Sequence, residues 1–230
     1  MREIVLDTET TGLDPNTGHR LVEIGCIELI NHISTGKTYQ QYIDPKRDMP
    51  LAAFEIHGLS EKFLSEFPVF SAIADDFLGF IGDDPLIIHN AGFDLGFLNA
   101  ELKLIDRDSL KSNQIVDTVS IARQMYPGAP ASLDALCRRF EIDNSARQNH
   151  GALLDAELLA EVYLELRGGR EPGLVLGHDV KTAASGQPET LQPTKMIVRA
   201  ARPHTATADE LSAHKAFIES LSAPLWENGK

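Results

Sequence analysis

Two carboxylates follow a short apolar run near the start of the chain and have the spacing of a metal site. Ile4, Val5 and Leu6 predict a buried β-strand, and Asp7 and Glu9 come at its end. Because side chains alternate between the faces of a strand, we expect both acids to point the same way. Two like charges at the end of a buried strand repel each other unless a cation lies between them. The pair alone leaves two alternatives open, a divalent-metal site or two solvated acids.

Three further residues have the types that such a site needs. Asp94 follows the apolar segment 85–89 at a predicted strand–turn–helix junction. Asp155 lies among Leu and Ala residues of a predicted helix, where burial of an acid requires a compensating interaction. His150 is five residues before Asp155, and within one helix the two would point in different directions. Both can serve one site only if His150 lies in the loop before the helix and the chain bends at Gly151. Taken singly, Asp94 is more typical of a charge at a helix N-terminus, and His150 of a surface loop.

The elements that must position these residues follow an α/β pattern. Short connections predict three antiparallel strands, one from residue 4 and two at 21–30 and 37–43, the last after a turn that includes residues 34–36. Two further strands at 85–89 and 114–116 alternate with helices, which predicts parallel pairing. Helices are predicted at 68–81, 93–105, 118–125, 133–140 and 151–167. The fold class is therefore a mixed five-stranded sheet with flanking helices.

Composition and charge restrict the function further. No apolar run approaches the ~20 residues of a membrane span, no secretory signal precedes the first strand, and Cys26 and Cys137 lack the spacing of a zinc site. These features predict a cytoplasmic protein. Residues 1–170 contain 27 acidic and 15 basic side chains, so the basic footprint of an independent nucleic-acid binder is missing. Either the chain does not bind nucleic acid, or metal ions and a partner supply the attraction.

Taken together, the five residues resemble the motifs of the DEDDh family of 3′→5′ exonucleases. The matching segments are Asp7-x-Glu9 in Asp-Thr-Glu-Thr-Thr-Gly-Leu, Asp94 in His-Asn-Ala-Gly-Phe-Asp, and His150-x4-Asp155. Within that family the whole chain is most similar to the proofreading (epsilon) subunits of bacterial DNA polymerase III. The resemblance implies a ribonuclease H-like fold and two Mg²⁺ or Mn²⁺ ions on the four acids. It also implies that His150 accepts the proton of the attacking water.

The same resemblance implies a pocket for the 3′-terminal nucleotide. The residues expected to bind it are Thr10, Thr11, Gly12, Leu13, His57 and Phe93. Leu13 would lie against a base, whereas Phe93 is as consistent with plain core as with sugar packing. The expected function is removal of mispaired 3′-terminal nucleotides as 5′-mononucleotides for the replicative polymerase. Two alternatives stay open, a free-standing DEDDh exoribonuclease and a non-catalytic subunit that stabilises a polymerase.

The chain changes character after residue 170. We expect an exonuclease domain at 1–170, a flexible linker at 171–206 and a polymerase-docking segment at 207–230. Residues 171–176 resemble the sliding-clamp motif Gln-x-x-Leu-x-Phe/Leu, with Glu171 in place of Gln; an ordinary linker start is the alternative. Docking is favoured for the last segment because Phe217, Leu225 and Trp226 are of types that stabilise interfaces. The partners implied are the 3′ end of DNA, the polymerase alpha subunit, the sliding clamp and a small stabilising subunit.

Overall fold

The computed structural model describes residues 1–111, 114–145, 147, 150–169 and 205–221. Contacts divide the chain into two units, Met1–Gly177 and His178–Lys230. The strands of the first unit are β1 (Arg2–Thr10), β2 (Leu21–Ile30), β3 (Ile33–Tyr42), β4 (Leu86–Ile88) and β5 (Ile115–Asp117). Its α-helices are α1 (Leu51–His57), α2 (Glu61–Leu64), α3 (Phe70–Ile81), α4 (Gly92–Leu104), α5 (Thr118–Met125), α6 (Leu133–Phe140) and α7 (Ala152–Leu166). A short 3-10 helix lies at Pro15–Thr17, and the second unit contains α8 (Ala208–Glu219).

The five strands form one mixed sheet in the order β3-β2-β1-β4-β5. β1 pairs with β2 in antiparallel fashion, and β2 pairs with β3 in the same way. β4 is parallel to both β1 and β5. This arrangement confirms the predicted mixed sheet and places β1, the strand with the first two acids, at its centre.

The alternation of side chains along β1 divides the core into two halves. Ile4 and Leu6 pack on one face with buried residues of α3 and α4. Val5 packs on the other face with buried residues of α5, α6 and α7. By the same alternation, Asp7 and Glu9 continue the face of Val5, toward α7, and Thr8 faces α4. The end of β1 therefore presents polar groups to helices on both sides of the sheet.

The turn between β2 and β3 differs from the prediction. Asn31 and His32 have φ angles of 52° and 68°, which makes a two-residue hairpin turn of the kind that fits the twist of antiparallel strands. β3 therefore begins at Ile33, and the prediction that it begins near residue 37 was wrong. Residues 34–36 belong to the strand, and Gly36, with a φ of 81°, lies where the pairing register shifts.

Helix α8 begins with a capping box. The Thr207 hydroxyl accepts a hydrogen bond from the Glu210 N–H at 3.3 Å, and the Glu210 carboxylate accepts one from the Thr207 N–H at 2.8 Å. None of the α8 residues is buried. Most of the predicted linker, including the clamp-like segment 171–176, lies outside the described residues, as do Leu225 and Trp226. Among the described residues, none of the helices has the length and apolar character that crossing a membrane requires.

Candidate active site

Four carboxylates from three elements converge on one cavity. Asp7 and Glu9 from β1, Asp94 from α4 and Asp155 from α7 line a space of about 190 Å³ together with His150. Glu9, Asp94 and Asp155 are buried. The structure thus brings together all five residues that the sequence predicted for catalysis.

Asp94 reaches the cavity because β1 and β4 are parallel and end at the same edge of the sheet. Asn90 follows β4 with a φ of 64°, and this left-handed residue turns the chain into α4. Asp94 then lies in the first turn of α4, where the helix dipole favours an acid. The Thr8 hydroxyl donates a hydrogen bond of 2.7 Å to the Asp94 carboxylate and fixes its orientation.

His150 and Asp155 meet in the way that their spacing predicted. His150 precedes α7, and its N–H donates a hydrogen bond of 3.0 Å to the Ile56 carbonyl. Gly151 is extended, and α7 begins at Ala152, so Asp155 lies in the first turn. The His150 Nδ1 atom is 3.3 Å from an Asp155 oxygen. Glu9, His150 and Asp155 each offer a ligand atom, and these atoms lie within 4.8 Å of one another.

The acids of the cavity are strongly coupled through their charges. Burial raises the pKa of Asp7 well above its ordinary value, and repulsion from Asp94, Glu9 and Asp155 raises it further. Burial, together with the charge of Asp155, raises the pKa of Glu9 to about 8. Burial raises the pKa of Asp94 to about 7, although the Thr8 hydrogen bond opposes the shift. Such a set of hard oxygen donors fits divalent cations, whose charge would offset this repulsion.

Arg147 also lines this cavity, and the sequence prediction missed it. Its guanidinium donates hydrogen bonds of 2.6 Å and 2.6 Å to the two Asp155 oxygens. A further N–H donates to Asp134 at 2.7 Å. The sequence feature that could have indicated Arg147 is its position, three residues before His150 in a strongly acidic domain.

Glu23 is a second residue that the prediction missed. Its carboxylate on β2 is buried and accepts hydrogen bonds from the Ala152 N–H at 3.1 Å and from the Gln40 amide at 2.8 Å. Glu23 therefore satisfies one of the free N–H groups at the start of α7. An acid between Val22 and Ile24 in a largely apolar strand was its sequence signal.

A larger pocket of about 530 Å³ adjoins the acidic cavity and shares Glu9 and Phe93 with it. Its lining includes all six residues predicted to bind the terminal nucleotide, namely Thr10, Thr11, Gly12, Leu13, His57 and Phe93. Leu13 is 83% exposed at this pocket. Phe93 is half-buried and packs on Phe97 with ring centroids 5.1 Å apart, so it belongs to both the core and the pocket.

The Nε2 atom of His57 is available to bind a ligand in this pocket. Its side chain is buried, and Nδ1 accepts a hydrogen bond of 3.0 Å from the Leu59 N–H. Burial lowers the pKa of His57, which favours the neutral ring with its proton on Nε2. Among the described residues Nε2 forms no hydrogen bond of standard geometry, although the Thr10 backbone interacts with the ring and opposes the lowering of its pKa. A donor of this kind suits an oxygen atom of a bound ligand.

Comparison with known proteins identifies the family. A model of the exonuclease family RNase_T matches residues 4–163, which include all five residues of the acidic cavity named above. DNA polymerase III subunit epsilon of Rickettsia felis is 50% identical over 225 residues, which cover 96% of this chain and 97% of that protein. The subunit epsilon of Escherichia coli K12 is 41% identical over 225 residues, covering 95% and 92% respectively. The chain belongs to the DNA polymerase III epsilon family.

The fold of this epsilon-family chain is also found among solved structures. The nuclease domain of 3′hExo, a DEDDh family member bound to rAMP, superposes with a TM-score of 0.63 at 17% identity. The superposition covers 72% of this chain and 91% of that chain. At this identity the likeness concerns the fold alone, and it confirms the expected ribonuclease H-like architecture.

Proposed function

We propose that this protein is the 3′→5′ proofreading exonuclease of a replicative DNA polymerase. It removes mispaired 3′-terminal nucleotides and releases them as 5′-mononucleotides. The observation that carries the proposal is the convergence of Asp7, Glu9, Asp94 and Asp155 beside a pocket of about 530 Å³. The identity with proteins named DNA polymerase III subunit epsilon supports DNA as the substrate.

The four carboxylates are the proposed ligands of two divalent cations, Mg²⁺ or Mn²⁺. Their oxygen donors and their mutual repulsion support hard cations rather than soft ones. When bound, such cations supply Lewis-acid activation of a water molecule and stabilise charge on the leaving oxygen. The side chains that hold them come from β1, α4 and α7, so their relative positions depend on the packing of both helices against the sheet.

His150 is the proposed general base, and it accepts a proton from the water that attacks the phosphorus atom. The bond between phosphorus and the 3′ oxygen then breaks, and the leaving 3′ oxygen takes a proton from solvent and stays on the shortened strand as its new 3′ hydroxyl. His150 suits this role because a neutral imidazole has a ring nitrogen that can accept a proton. Its exposed position before α7, close to Glu9 and Asp155, gives it access to a water beside those acids.

The larger pocket is the proposed seat of the 3′-terminal nucleotide. Thr10 to Leu13 would contact the sugar and base, with Leu13 as an exposed apolar wedge. The buried Nε2–H of His57 would donate to an oxygen of the nucleotide, and Phe93 would pack on its sugar. Contacts of this kind do not depend on base identity, which suits an enzyme that must remove any mispaired base.

The partners are proposed from charge and exposed helix surface. Residues 1–170 contain 27 acidic and 15 basic side chains, which disfavours tight DNA binding by this domain alone. A polymerase alpha subunit, docked on residues 207–230 beyond the linker 171–206, would deliver the primer end in the cytoplasm. The sliding clamp at 171–176 and a small stabilising subunit are further proposed partners.

The test is hydrolysis of a mismatched primer by the full chain and by the double variant Asp7→Ala/Glu9→Ala. We expect hydrolysis to fall by at least about 10³-fold because metal binding and charge stabilisation are lost together. Asp75→Ala/Asp83→Ala is the matched control, since these side chains are 79% and 88% exposed. Retained hydrolysis in the Asp7/Glu9 variant would refute the proposal.

A parallel assay separates the alternatives. The same mismatched primer is supplied as DNA and as RNA, and binding to the polymerase subunit is measured by pull-down. A preference for RNA ends without polymerase binding would support the free-standing exoribonuclease. Polymerase stabilisation without hydrolysis by the unchanged chain would support the non-catalytic subunit.

A further inference from the structure

The guanidinium of Arg147 is held between two carboxylates at the rim of the acidic cavity. It contacts both oxygens of Asp155 at 2.6 Å, and its other side contacts Asp134 at 2.7 Å. The Arg147 side chain is only 9% exposed, and that of Asp155 is 4% exposed. The bidentate geometry strengthens this contact, and removal of either partner would leave a shielded charge without compensation.

These contacts use the same Asp155 oxygens that are proposed to bind a cation. A ligand atom of Asp155 lies within 4.8 Å of ligand atoms of Glu9 and His150. A guanidinium fork occupies one lone pair on each carboxylate oxygen, and its positive charge repels a cation that approaches the lone pairs that remain. The charge of Arg147 also lowers the pKa of Asp7 and Glu9, so it partly takes the role of a cation in the cluster.

Arg147 engages the proposed base as well. One of its N–H groups lies 2.9 Å from His150 Nδ1. A guanidinium has donors only, so Nδ1 must accept this hydrogen bond and the neutral ring must carry its proton on Nε2. With Arg147 in this position, His150 has its Nδ1 lone pair occupied and its Nε2 protonated, and neither nitrogen is free to accept a proton.

The surroundings offer Arg147 a second position. Asp134 is half-exposed, at 50%, and lies on the opposite side of the guanidinium from Asp155. A cavity of about 420 Å³ adjoins this side, and its lining includes Asp134, Arg138, Asn144 and Arg147. The side chain can therefore leave Asp155 without losing its charged partner or entering an apolar environment.

We propose that Arg147 competes with a divalent cation for Asp155 and withdraws toward Asp134 when the cation binds. Arg147 is then a positioning residue that holds the site inactive through Asp155 and His150 until the cation arrives. This inference rests on the proposed role of Asp155 as a metal ligand. Arg147 then opposes metal binding, whereas the four acids support it. Removal of the Arg147 guanidinium should therefore strengthen metal binding.

The first test measures Mn²⁺ binding to the full chain after chelator treatment, by the loss of the free-Mn²⁺ electron paramagnetic resonance signal. Arg147→Gln should bind Mn²⁺ roughly tenfold more tightly than the unchanged protein, since a charge-assisted contact no longer has to be broken. Arg138→Gln, which lines the same neighbouring cavity, is the matched control and should leave the affinity unchanged. Equal or weaker binding by Arg147→Gln would overturn the inference while the proposed function stands. Absence of Mn²⁺ binding by the unchanged protein would overturn both.

A second test changes the carboxylate toward which Arg147 is proposed to withdraw. Asp134→Asn removes the charge to which Arg147 withdraws, so Mn²⁺ binding should weaken about threefold to tenfold. In the Arg147→Gln background the same substitution should have no effect. An equal effect of Asp134→Asn in both backgrounds, or no effect in the unchanged protein, would refute the competition.

Discussion

The backbone N–H of Ala152 donates a hydrogen bond of 3.1 Å to the carboxylate of Glu23, although 129 residues separate the two. This contact fixes the first turn of α7 on β2, and Asp155 lies in that turn. Two residues beyond Glu23, Gly25 leaves room for the helix backbone, because a Cβ there would lie 2.3 Å from the Ala152 carbonyl carbon. The position of Asp155, one of the four acids proposed to be catalytic, thus depends on a strand that contributes none of them.

Gly25→Ala should displace the start of α7 and disturb the site. Backbone atoms cannot rotate away from the added methyl group, so we expect a loss of about 1–3 kcal/mol in the free energy of unfolding. We also expect a fall in hydrolysis on the order of 100-fold, since catalytic geometry tolerates little displacement. Urea unfolding and primer digestion measure the two effects. Gly79→Ala is the control because a Cβ there meets open space, and unchanged hydrolysis in Gly25→Ala would contradict this account.

The stability of the chelator-treated protein should fall as the pH rises. Glu9 has a pKa of about 8 in the folded protein against 4.5 ordinarily, and Asp94 has about 7 against 3.8. The folded state therefore holds protons that the unfolded state releases, and this stabilisation is present at low pH and lost as the pH rises through the folded pKa values. The slope approaches about 1.4 kcal/mol per pH unit for each such carboxyl.

Urea unfolding at several pH values, with chelator and with Mg²⁺, tests that dependence. Glu9→Gln should flatten the curve between pH 4.5 and 8, and Mg²⁺ should raise the stability most at the upper end. Glu55→Gln, a substitution at an exposed acid, should leave the slope unchanged. A stability that rises with pH across this window in the presence of chelator would disprove the raised pKa values.

Leu13→Ala should weaken substrate binding without affecting folding. Leu13 is 83% exposed at the larger pocket, so its removal costs the folded protein little. We expect the KM for single-stranded DNA to rise roughly tenfold, because an apolar contact with a base is lost. Leu104→Ala is the matched control, as Leu104 is 65% exposed at the end of α4 and does not line the pocket. Equal KM values for the two variants would argue against a wedge at Leu13.

Leu211→Ser/Phe217→Ser should abolish docking of α8 on the polymerase subunit. These side chains are 59% and 60% exposed, and an isolated helix of 12 residues is only marginally stable in water. We expect a loss of affinity of about 100-fold in pull-down or titration experiments, with hydrolysis of single-stranded DNA retained. His214→Ser/Lys215→Ser changes polar residues of the same helix and should bind normally. Full binding by the Leu211/Phe217 variant would exclude α8 as the docking element.

The sequence allowed much of the site to be predicted because its signals are local. Strand periodicity placed Asp7 and Glu9 on one face, and the spacing of His150 and Asp155 required a histidine outside the helix, as observed. Asp94 was recognised through its motif, since a single acid at a helix start carries no signal of its own.

The missed features depend on contacts and backbone geometry that neither periodicity nor a motif reveals. Glu23 matters because Ala152 lies against it, and no periodicity in β2 reveals a helix terminus that begins more than a hundred residues later. Arg147 was overlooked because it lies in the loop before α7, and its contacts with Asp134 and Asp155 depend on how that loop folds against two helices. The β3 boundary was misplaced because Gly36 was interpreted as a turn residue, whereas it lies at an irregularity within a strand.

The position of α7 near the end of the first unit also matters while the chain is being synthesised. β1, the first element to be made, carries two of the acids, but Asp155 arrives only with the last helix of the first unit. A ribosome-bound chain that lacks α7 has neither the fourth carboxylate nor the helix that covers one face of β1. We therefore expect nuclease activity to begin only after nearly the whole domain has emerged from the ribosome.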